Sequence, residues 1–411
     1  MLLKNCRIVS SRGVVEGDIL IEGGKIADIG GRLSGDDVID VKRRFVMPGL
    51  VDLHVHMRDF KERSKEDFYS GSRAAVAGGI TTYIDMPNSK PPVVDAETFE
   101  RRLRMASQKS VADFGLNYGV TKENWASELE IEPTAYKIYM DGTLGEVDEQ
   151  VIEGTIKLRD VVAVHAEEPR FFVGRQRPPE AEVKAVRKVN AMAEKHRKKV
   201  HICHISSGQS LRYLTSYTSC EVTPHHLFLT EKELEEWRGI AKTNPPLRSA
   251  RDVKALWEGL KTGIITAIAS DHAPHKMRNK ERDFDEALAG IPNLDIMLRL
   301  FLTAVNQRRI ILPELVRWMC ENPAQLLGLE DKGKLNPGMD ADMVVLDMGE
   351  KGRIEVDEFF SKAKYSPFEG RKVVGGVDKV FLRGKVVYEE GEITAKRGYG
   401  KPLKKVTPSP A

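Results

Sequence analysis

The sequence is short of three things: cysteine, an excess of one charge, and long apolar runs. Its four cysteines are scattered through 411 residues, which predicts reduced thiols in a cytoplasm and no disulfide framework. The 64 basic and 61 acidic residues nearly balance, so no nucleic-acid or membrane partner is indicated. No apolar run approaches the roughly 20 residues of a membrane helix, and the N-terminus lacks the apolar segment of a signal peptide. We therefore expect a cytoplasmic globular protein.

The order of predicted elements indicates one large domain and one small one. Residues 1–47 show short strands separated by glycine turns, and a similar pattern returns over 333–411. Over 48–332, short apolar strands alternate with helical segments. These strands are predicted at 51–57, 81–86, 113–118, 135–140, 161–165, 200–205, 220–223 and 265–270.

This alternation predicts an α/β protein with a (β/α)8 TIM barrel and a small composite β-sandwich domain formed by both chain ends. A doubly wound open sheet is the alternative. The first strand, however, is not followed by the Gly-X-Gly-X-X-Gly turn that would support it. Residues 401–411 are rich in lysine and proline and predict a loosely ordered tail.

The first barrel strand carries a His-X-His pair. A Pro-Gly turn at 48–49 precedes an alternating run that contains His54 and His56. Alternation puts both imidazoles on one face, about 6.5–7 Å apart along the strand, which suits two ligands of one metal ion. The pair alone is also typical of two polar positions on a half-exposed strand.

Nine of the ten histidines lie at or near predicted strand ends, and only His196 does not. Barrel enzymes gather their chemistry at the carboxyl ends of the strands, so this clustering favours a metal site. Imidazoles and carboxylates together suit zinc or a similar divalent ion. The candidate side chains at these ends are His54, His56, Arg58, Lys137, His165, Cys203, His204, Glu221, Asp271 and His275.

Lys137 stands in the apolar strand Ala-Tyr-Lys-Ile-Tyr-Met. A charged amine would be costly there, and burial near cations lowers an amine pKa from about 10.4. A neutral amine can add CO2 to give a carbamate, whose two oxygens suit two metal ions. The alternative is a Lys137 that forms a salt bridge.

Taken together, the strand-end residues resemble those of the amidohydrolase superfamily, in the order His-X-His, Lys, His, His, Asp. Four segments are similar to the dihydroorotase family in particular, and the resemblance extends to Gly-Met-Asp-Ala-Asp at 338–342. These segments are Pro-Gly-Leu-Val-Asp-Leu-His-Val-His-Met-Arg (48–58), Met-Pro-Asn (86–88), Lys-Thr-Asn-Pro-Pro-Leu-Arg (242–248) and Ser-Asp-His-Ala-Pro-His (270–275).

The resemblance implies two Zn²⁺ ions per subunit, bridged by N6-carboxylated Lys137. It implies that one ion is bound by His54, His56, Lys137 and Asp271, and the other by Lys137, His165 and His204. The substrate carboxylate would be held by Arg58, Asn88 and His275, and the rest of the substrate would touch Asn244 and Gly290. A guanidinium suits this role because it pairs with a carboxylate through two hydrogen bonds.

Two departures from the family pattern are visible. Bacterial-type members often have Arg-Glu-Pro-Gly where this chain has Arg58-Asp59-Phe60. We expect this difference to alter a loop and not the binding of the substrate carboxylate by Arg58. Some members have aspartate near the bridging position, whereas Lys137 resembles the animal-type site. That type can hold a third ion, here through His54, Cys203 and Glu221. Otherwise Cys203 is a small buried hydrophobe and Glu221 orients a ligand.

The activity that the resemblance implies is the reversible cyclisation of N-carbamoyl-L-aspartate to (S)-dihydroorotate and water, in de novo pyrimidine biosynthesis. Asp271 would move the proton. The alternatives are a hydantoinase, dihydropyrimidinase or allantoinase of the same superfamily, and a non-catalytic barrel kept for assembly. The expected partners are the small-molecule substrate and either a second copy of the chain or another pyrimidine-pathway enzyme. The flanking His201, His225, His226 and His272 are expected to pack or to orient the ligands.

Overall fold

The computed structural model describes residues 1–128 and 130–404 and places a barrel beside one large sheet. The chain begins with five strands of the sheet: β1 Leu2–Ser10, β2 Gly13–Glu22, β3 Lys25–Gly30, β4 Val38–Asp40 and β5 Phe45–Pro48. Antiparallel pairing joins β1 to β2 and β2 to β3, whereas β4 and β5 pair with β1 in parallel.

Eight parallel strands then form the barrel: β6 Leu50–Val55, β7 Ile80–Asp85, β8 Asp113–Gly119, β9 Ala135–Tyr139, β10 Val162–His165, β11 Val200–Ile202, β12 Thr218–Val222 and β13 Ala267–Ile268. Each strand pairs with the next along the chain. His272, just beyond β13, bridges to Val55, and its carbonyl accepts the His56 N–H at 2.8 Å, which closes the ring onto β6. The predicted barrel is confirmed, and the alternative of an open doubly wound sheet is wrong.

Helices cover the outside of the barrel, so its strands are buried on both faces. An outer helix such as α4, Pro179–His196, buries one apolar stripe against the strands, which includes Val186, Val189 and Ala193. The helices are α1 Phe68–Ala77, α2 Ala96–Lys109, α3 Glu149–Leu158, α4 Pro179–His196, α5 Pro224–Phe228, α6 Glu231–Trp237, α7 Ala250–Lys261, α8 Met277–Lys280, α9 Met297–Asn306, α10 Leu312–Val316 and α11 Asn322–Leu326.

Both chain ends share one sheet. After the barrel the chain adds β14 Met343–Arg353, β15 Lys372–Leu382, β16 Lys385–Glu389 and β17 Glu392–Ile393. β5 pairs with β1 on one side and with β14 on the other, which makes a single nine-stranded sheet. Its core is separate from that of the barrel and includes Leu3, Ile19, Val46, Met343 and Phe381. The predicted joining of the two chain ends is therefore confirmed.

The start of the predicted tail is held against the barrel. Phe114 N–H donates to the Lys401 carbonyl at 3.0 Å, and Leu403 N–H donates to the Phe114 carbonyl at 2.8 Å. Residues 405–411 lie outside the described part of the chain. All four cysteines are free and buried, as expected. Within residues 1–128 and 130–404, none of the helices is both long and apolar enough to cross a membrane.

A buried ion cluster ties the sheet to the barrel. Lys332 Nζ lies 2.9 Å from Asp113 Oδ2 at the start of β8, 3.0 Å from Asp340 Oδ2, and 2.7 Å from Asp342 Oδ2 just before β14. Only 5% of the Lys332 side chain is exposed. Burial opposes its charge, but the three carboxylates outweigh burial and raise the pKa of Lys332. Without this lysine, three neighbouring carboxylates would lose their shared cation.

We predict that Lys332→Met lowers the free energy of unfolding by about 3–5 kcal/mol, because it leaves buried charges unpaired. Urea denaturation followed by circular dichroism measures the change. Lys25→Met is the matched control, since Lys25 also contacts Asp340, at 2.6 Å, but has a 45% exposed side chain. Lys25→Met should lower the free energy of unfolding by less than about 1 kcal/mol. Equal losses in both variants would contradict the importance of the buried cluster.

Candidate metal centre and active site

Three predicted ligands meet where β6 and β13 end. Asp271 Oδ1 lies 3.4 Å from His54 Nε2 and 3.2 Å from His56 Nε2. One ligand atom from each side chain lies within 4.8 Å of the other two, as expected for ligands of one metal ion. Burial lowers the pKa of His56 to about 4, so its imidazole is neutral near pH 7. Burial opposes a charge on Asp271, but His54 and His56 outweigh burial and keep the pKa of Asp271 below its usual range.

His54 and His56 are each held through the other ring nitrogen. Glu221 Oε1 lies 2.6 Å from His54 Nδ1, and Asn88 Oδ1 lies 2.7 Å from His56 Nδ1. Both oxygens can only accept, so each Nδ1 carries a proton, which leaves Nε2 as the ring nitrogen that a metal ion would bind. Metal-binding histidines need this tautomer. Asn88, which the resemblance assigns to the substrate carboxylate, thus uses its oxygen on His56 and has only its amide N–H groups to donate to a substrate.

His165 and His204 form a second pair beside the first. His165 Nδ1 and His204 Nε2 are 3.0 Å apart, and the ring centroids of His204 and His54 are 5.1 Å apart. His204 Nδ1 is buried and has no hydrogen-bond partner among the described residues. Burial, with His165 nearby, keeps the pKa of His204 well below its usual value. A neutral imidazole with a buried, unpartnered nitrogen fits a metal ligand.

The backbone at two of these residues is strained. His204 has φ 35° and Asp271 has φ 42°, in the left-handed region that residues other than glycine rarely adopt. Such conformations cost about 1–3 kcal/mol and cluster at functional sites. The strain therefore supports a functional role for both positions.

Lys137 on β9 is fully buried. Its Nζ lies 2.7 Å from Cys203 Sγ and 5.0 Å from the ring centroid of Tyr139. No carboxylate of the described residues lies within 4.0 Å of this amine, so the alternative of a salt-bridged Lys137 is not formed. Burial raises the pKa of Cys203 to about 12, so the thiol is neutral and cannot compensate an ammonium group.

Two carboxylates beside His165 share one arginine. Glu167 Oε2 lies 2.8 Å from His165 Nε2, and Asp141 Oδ2 lies 3.5 Å from the same nitrogen. Arg177 contacts Glu167 at 2.6 Å and Asp141 at 3.1 Å. Because the guanidinium holds both carboxylates in place, these side chains can orient His165. Neither Asp141 nor Arg177 was singled out from the sequence.

Arg58 is a buried cation without a protein anion. Its Nε donates to the Pro274 carbonyl at 3.2 Å, and its Nη2 lies 3.3 Å from His275 Nε2. The residue is 7% exposed, and no carboxylate of the described chain lies within 4.0 Å of the guanidinium. Buried charges are normally paired, so Arg58 and His275 define an anion-binding position.

Gly290 and Asn244 lie on segments that border this position. A Cβ at Gly290, which has φ 144°, would lie 2.3 Å from the Ala273 carbonyl oxygen, so only glycine fits. The preceding Ala289 carbonyl lies 2.9 Å from His275 Nε2. Asn244 is half-buried and directly precedes Pro245, whose carbonyl lies 3.1 Å from His226 Nε2.

Other flanking histidines support the loop after β13. Asn293 N–H donates to His272 Nδ1 at 3.2 Å, and Asn293 Nδ2 lies 3.0 Å from His225 Nδ1. These contacts join the residue after Asp271 to the neighbouring strand end, as an orienting role requires.

Lys280, which sequence analysis missed, fixes the same loop. Its Nζ donates to the carbonyls of Lys242 at 3.2 Å, Leu288 at 2.7 Å and Gly290 at 2.8 Å, and the residue is 1% exposed. Burial lowers the pKa of Lys280 well below its usual value. The residue stands in a charged stretch at 276–282 that is typical of solvated chain, so the sequence carries no signal of its role.

Comparison with known proteins identifies the family. The model of the amidohydrolase family matches residues 45–387, and the chain belongs to this family. The dihydroorotase of Methanothermobacter thermautotrophicus is 39% identical over 96% of this chain and 96% of its own. The dihydroorotase of Pyrococcus furiosus is 40% identical over 95% of this chain and 93% of its own.

Solved structures with the same fold include hydantoinases. The L-hydantoinase (dihydropyrimidinase) from Arthrobacter aurescens superposes with a TM-score of 0.93 at 31% identity, over 98% of both chains. A D-hydantoinase (dihydropyrimidinase) from Thermus sp. gives 0.90 at 26% identity, also over 98% of both. The fold is thus shared by enzymes with different names, and the substrate has to be argued from the site.

We predict that Lys280→Met speeds amide hydrogen exchange across residues 276–290 and leaves exchange in the barrel strands unchanged. The reason is that the carbonyls of Leu288 and Gly290 in this region, with that of Lys242 outside it, lose their shared donor. Exchange followed by mass spectrometry measures the effect. Arg278→Met, an exposed change in the same helix, is the control and should match the parent. Unchanged exchange in Lys280→Met would show that this lysine does not hold the loop.

Proposed function

We propose that the protein is a dihydroorotase, which interconverts N-carbamoyl-L-aspartate and (S)-dihydroorotate. The observation that carries this proposal is Arg58, a buried guanidinium beside His275 with no carboxylate within 4.0 Å in the described part of the chain. Dihydroorotate bears a carboxylate that would pair with it through two hydrogen bonds, whereas dihydrouracil bears none. The relatives named dihydroorotase, at 39% and 40% identity, support the same substrate.

The cofactors in this proposal are two zinc ions. His54, His56 and Asp271 would hold one ion, His165 and His204 the other, and Lys137 would serve both as N6-carboxylysine. The buried amine without a protein anion supports the bridge, because adding CO2 and losing one proton converts it to a carbamate with two ligand oxygens. Bound zinc lowers the pKa of water and polarises a carbonyl group.

The protein side chains would orient the substrate and move one proton. Arg58 and His275 hold the carboxylate, while Asn244 and Gly290 border the ring. In hydrolysis, an Asp271 carboxylate oxygen accepts the proton of the attacking water and delivers it to the ring nitrogen as the amide bond breaks. Cyclisation follows the reverse path.

Glu221 serves in this proposal to orient His54. One ligand atom each of His54, Cys203 and Glu221 lies within 4.8 Å of the other two, so the set predicted for a third ion does assemble. A third ion would nevertheless have to replace the 2.6 Å hydrogen bond from His54 to Glu221. The full set of ligands for two ions argues against a non-catalytic barrel.

The remaining expectations stay predictions. We infer a boundary near residue 48, where β5 ends and β6 begins, and a second near 332, just before the chain returns to the sheet. The cytoplasmic location, the oligomeric state and an association with another pyrimidine-pathway enzyme rest on the sequence alone.

We predict that Arg58→Met lowers kcat/KM for dihydroorotate roughly 30- to several-thousand-fold, the equivalent of about 2–5 kcal/mol for one partner of a buried charge pair. Use of uncharged dihydrouracil should change less than about threefold. Steady-state kinetics on both substrates measure the split. Arg63→Met, an exposed change five residues on, is the control. Equal losses on both substrates would rule out the carboxylate anchor.

We predict that Asp271→Ala lowers kcat at least about 100-fold, since a general base contributes roughly 10²–10⁴. The variant should keep much of its zinc through the remaining histidines, as measured by atomic absorption after dialysis. Turnover close to that of the parent enzyme would remove Asp271 from the proton-transfer step.

A further inference from the structure

His201 stands near the start of β11, on the amino-terminal side of the candidate metal ligands. It lines a cavity of about 770 Å³ at the amino-terminal end of the barrel, together with Leu53, Ile84, Asn117 and Ala163. The mechanism described above makes no use of this cavity or of His201.

A chain of hydrogen bonds leads from His201 to the candidate metal ligands. Ser219 Oγ lies 2.9 Å from His201 Nδ1, and His201 Nε2 lies 3.1 Å from Glu221 Oε2. The other Glu221 oxygen, Oε1, lies 2.6 Å from His54 Nδ1. A carboxylate only accepts, so both His201 Nε2 and His54 Nδ1 donate to it, and the Ser219 hydroxyl donates to His201 Nδ1.

Glu221 is therefore fixed from two sides. Its side chain is 1% exposed, and its Oε1 accepts both from His54 and, at 3.4 Å, from the His204 backbone N–H. His201 is the donor that holds the second oxygen, Oε2. Without His201, Oε2 would have no donor among the described residues, and the carboxylate could turn and weaken its hold on the His54 ring.

We propose that His201 is a positioning residue of the metal centre, which acts through Glu221 on His54 from within the cavity. This inference rests on the metal centre of the proposed function. Loss of a partner that orients a metal-binding histidine typically lowers metal affinity or activity 10- to 100-fold. We therefore expect the loss of His201 to have an effect of this size.

The first test is zinc retention against a competing chelator at graded concentration. We expect His201→Leu to bind zinc about 10–100-fold more weakly than the parent protein. His201→Gln, which keeps an N–H donor, should stay within about threefold of the parent. His196→Leu is the matched control, because His196 makes a 2.6 Å contact with Glu153 on the outer helices and lies away from the strand ends. If His201→Leu does not fold, the same comparison is made between His201→Ala and His201→Gln.

The cavity allows a second test by chemical rescue. Its rim includes Ser216, Gly263 and Ile264, and Ile264 is 46% exposed, so a small solute can reach position 201 from solvent. Added imidazole should restore zinc retention in His201→Ala, because its N–H can donate to Glu221. 1-Methylimidazole has no N–H and should not restore it.

Zinc retention by His201→Leu or His201→Ala equal to that of the parent would overturn the proposal, and so would equal rescue by both azoles. These readouts do not depend on the substrate. A parent protein that binds zinc but does not turn over dihydroorotate would defeat the proposed function and still leave the role of His201 decided by the zinc comparison.

Discussion

A protein interior that excludes water favours compensation of every charge placed in it. At the candidate site, Lys137 is fully buried and Arg58 is 7% exposed, and neither has a carboxylate within 4.0 Å among the described residues. An amine can escape the cost of burial by losing its proton, whereas a guanidinium cannot. The same constraint therefore supports both the proposed carbamate at Lys137 and the proposed anionic substrate at Arg58.

The rest of the site is arranged around these two positions. His54 and His56 are each held by an acceptor that keeps a proton on Nδ1. Glu221 accepts from His54, and Asn88 accepts from His56. Lys280 fixes the loop that borders the substrate through three backbone carbonyls. Farther away, Lys332 ties the composite sheet to the base of the barrel. Each contact restricts a group that the chemistry needs in one orientation.

The barrel could be predicted from the sequence because its strands follow local rules, and the candidate ligands could be assigned because the strand-end residues resemble those of a known family. Alternation and strand length mark the barrel strands, and His54, His56 and Asp271 occur where such strands end. Contacts that depend on side-chain direction across the fold left no such mark. Lys280 occurs in a charged stretch that is typical of solvent-exposed chain, yet it is buried. The resemblance assigns Asn88 to the substrate, and only the structure shows that its side-chain oxygen accepts a hydrogen bond from His56. The strand order around β5 likewise depends on pairing between distant chain ends.

The most direct test is dihydroorotate hydrolysis by the purified protein, stripped of metal and then restored with zinc in the presence or absence of bicarbonate. Allantoin and dihydrouracil are assayed beside it. We predict that activity disappears when the metal is removed and returns only when zinc and bicarbonate are added together. The restored activity should act on dihydroorotate alone. Activity confined to an uncharged ring would place the enzyme with the hydantoinases, and full recovery without bicarbonate would contradict the carbamate at Lys137.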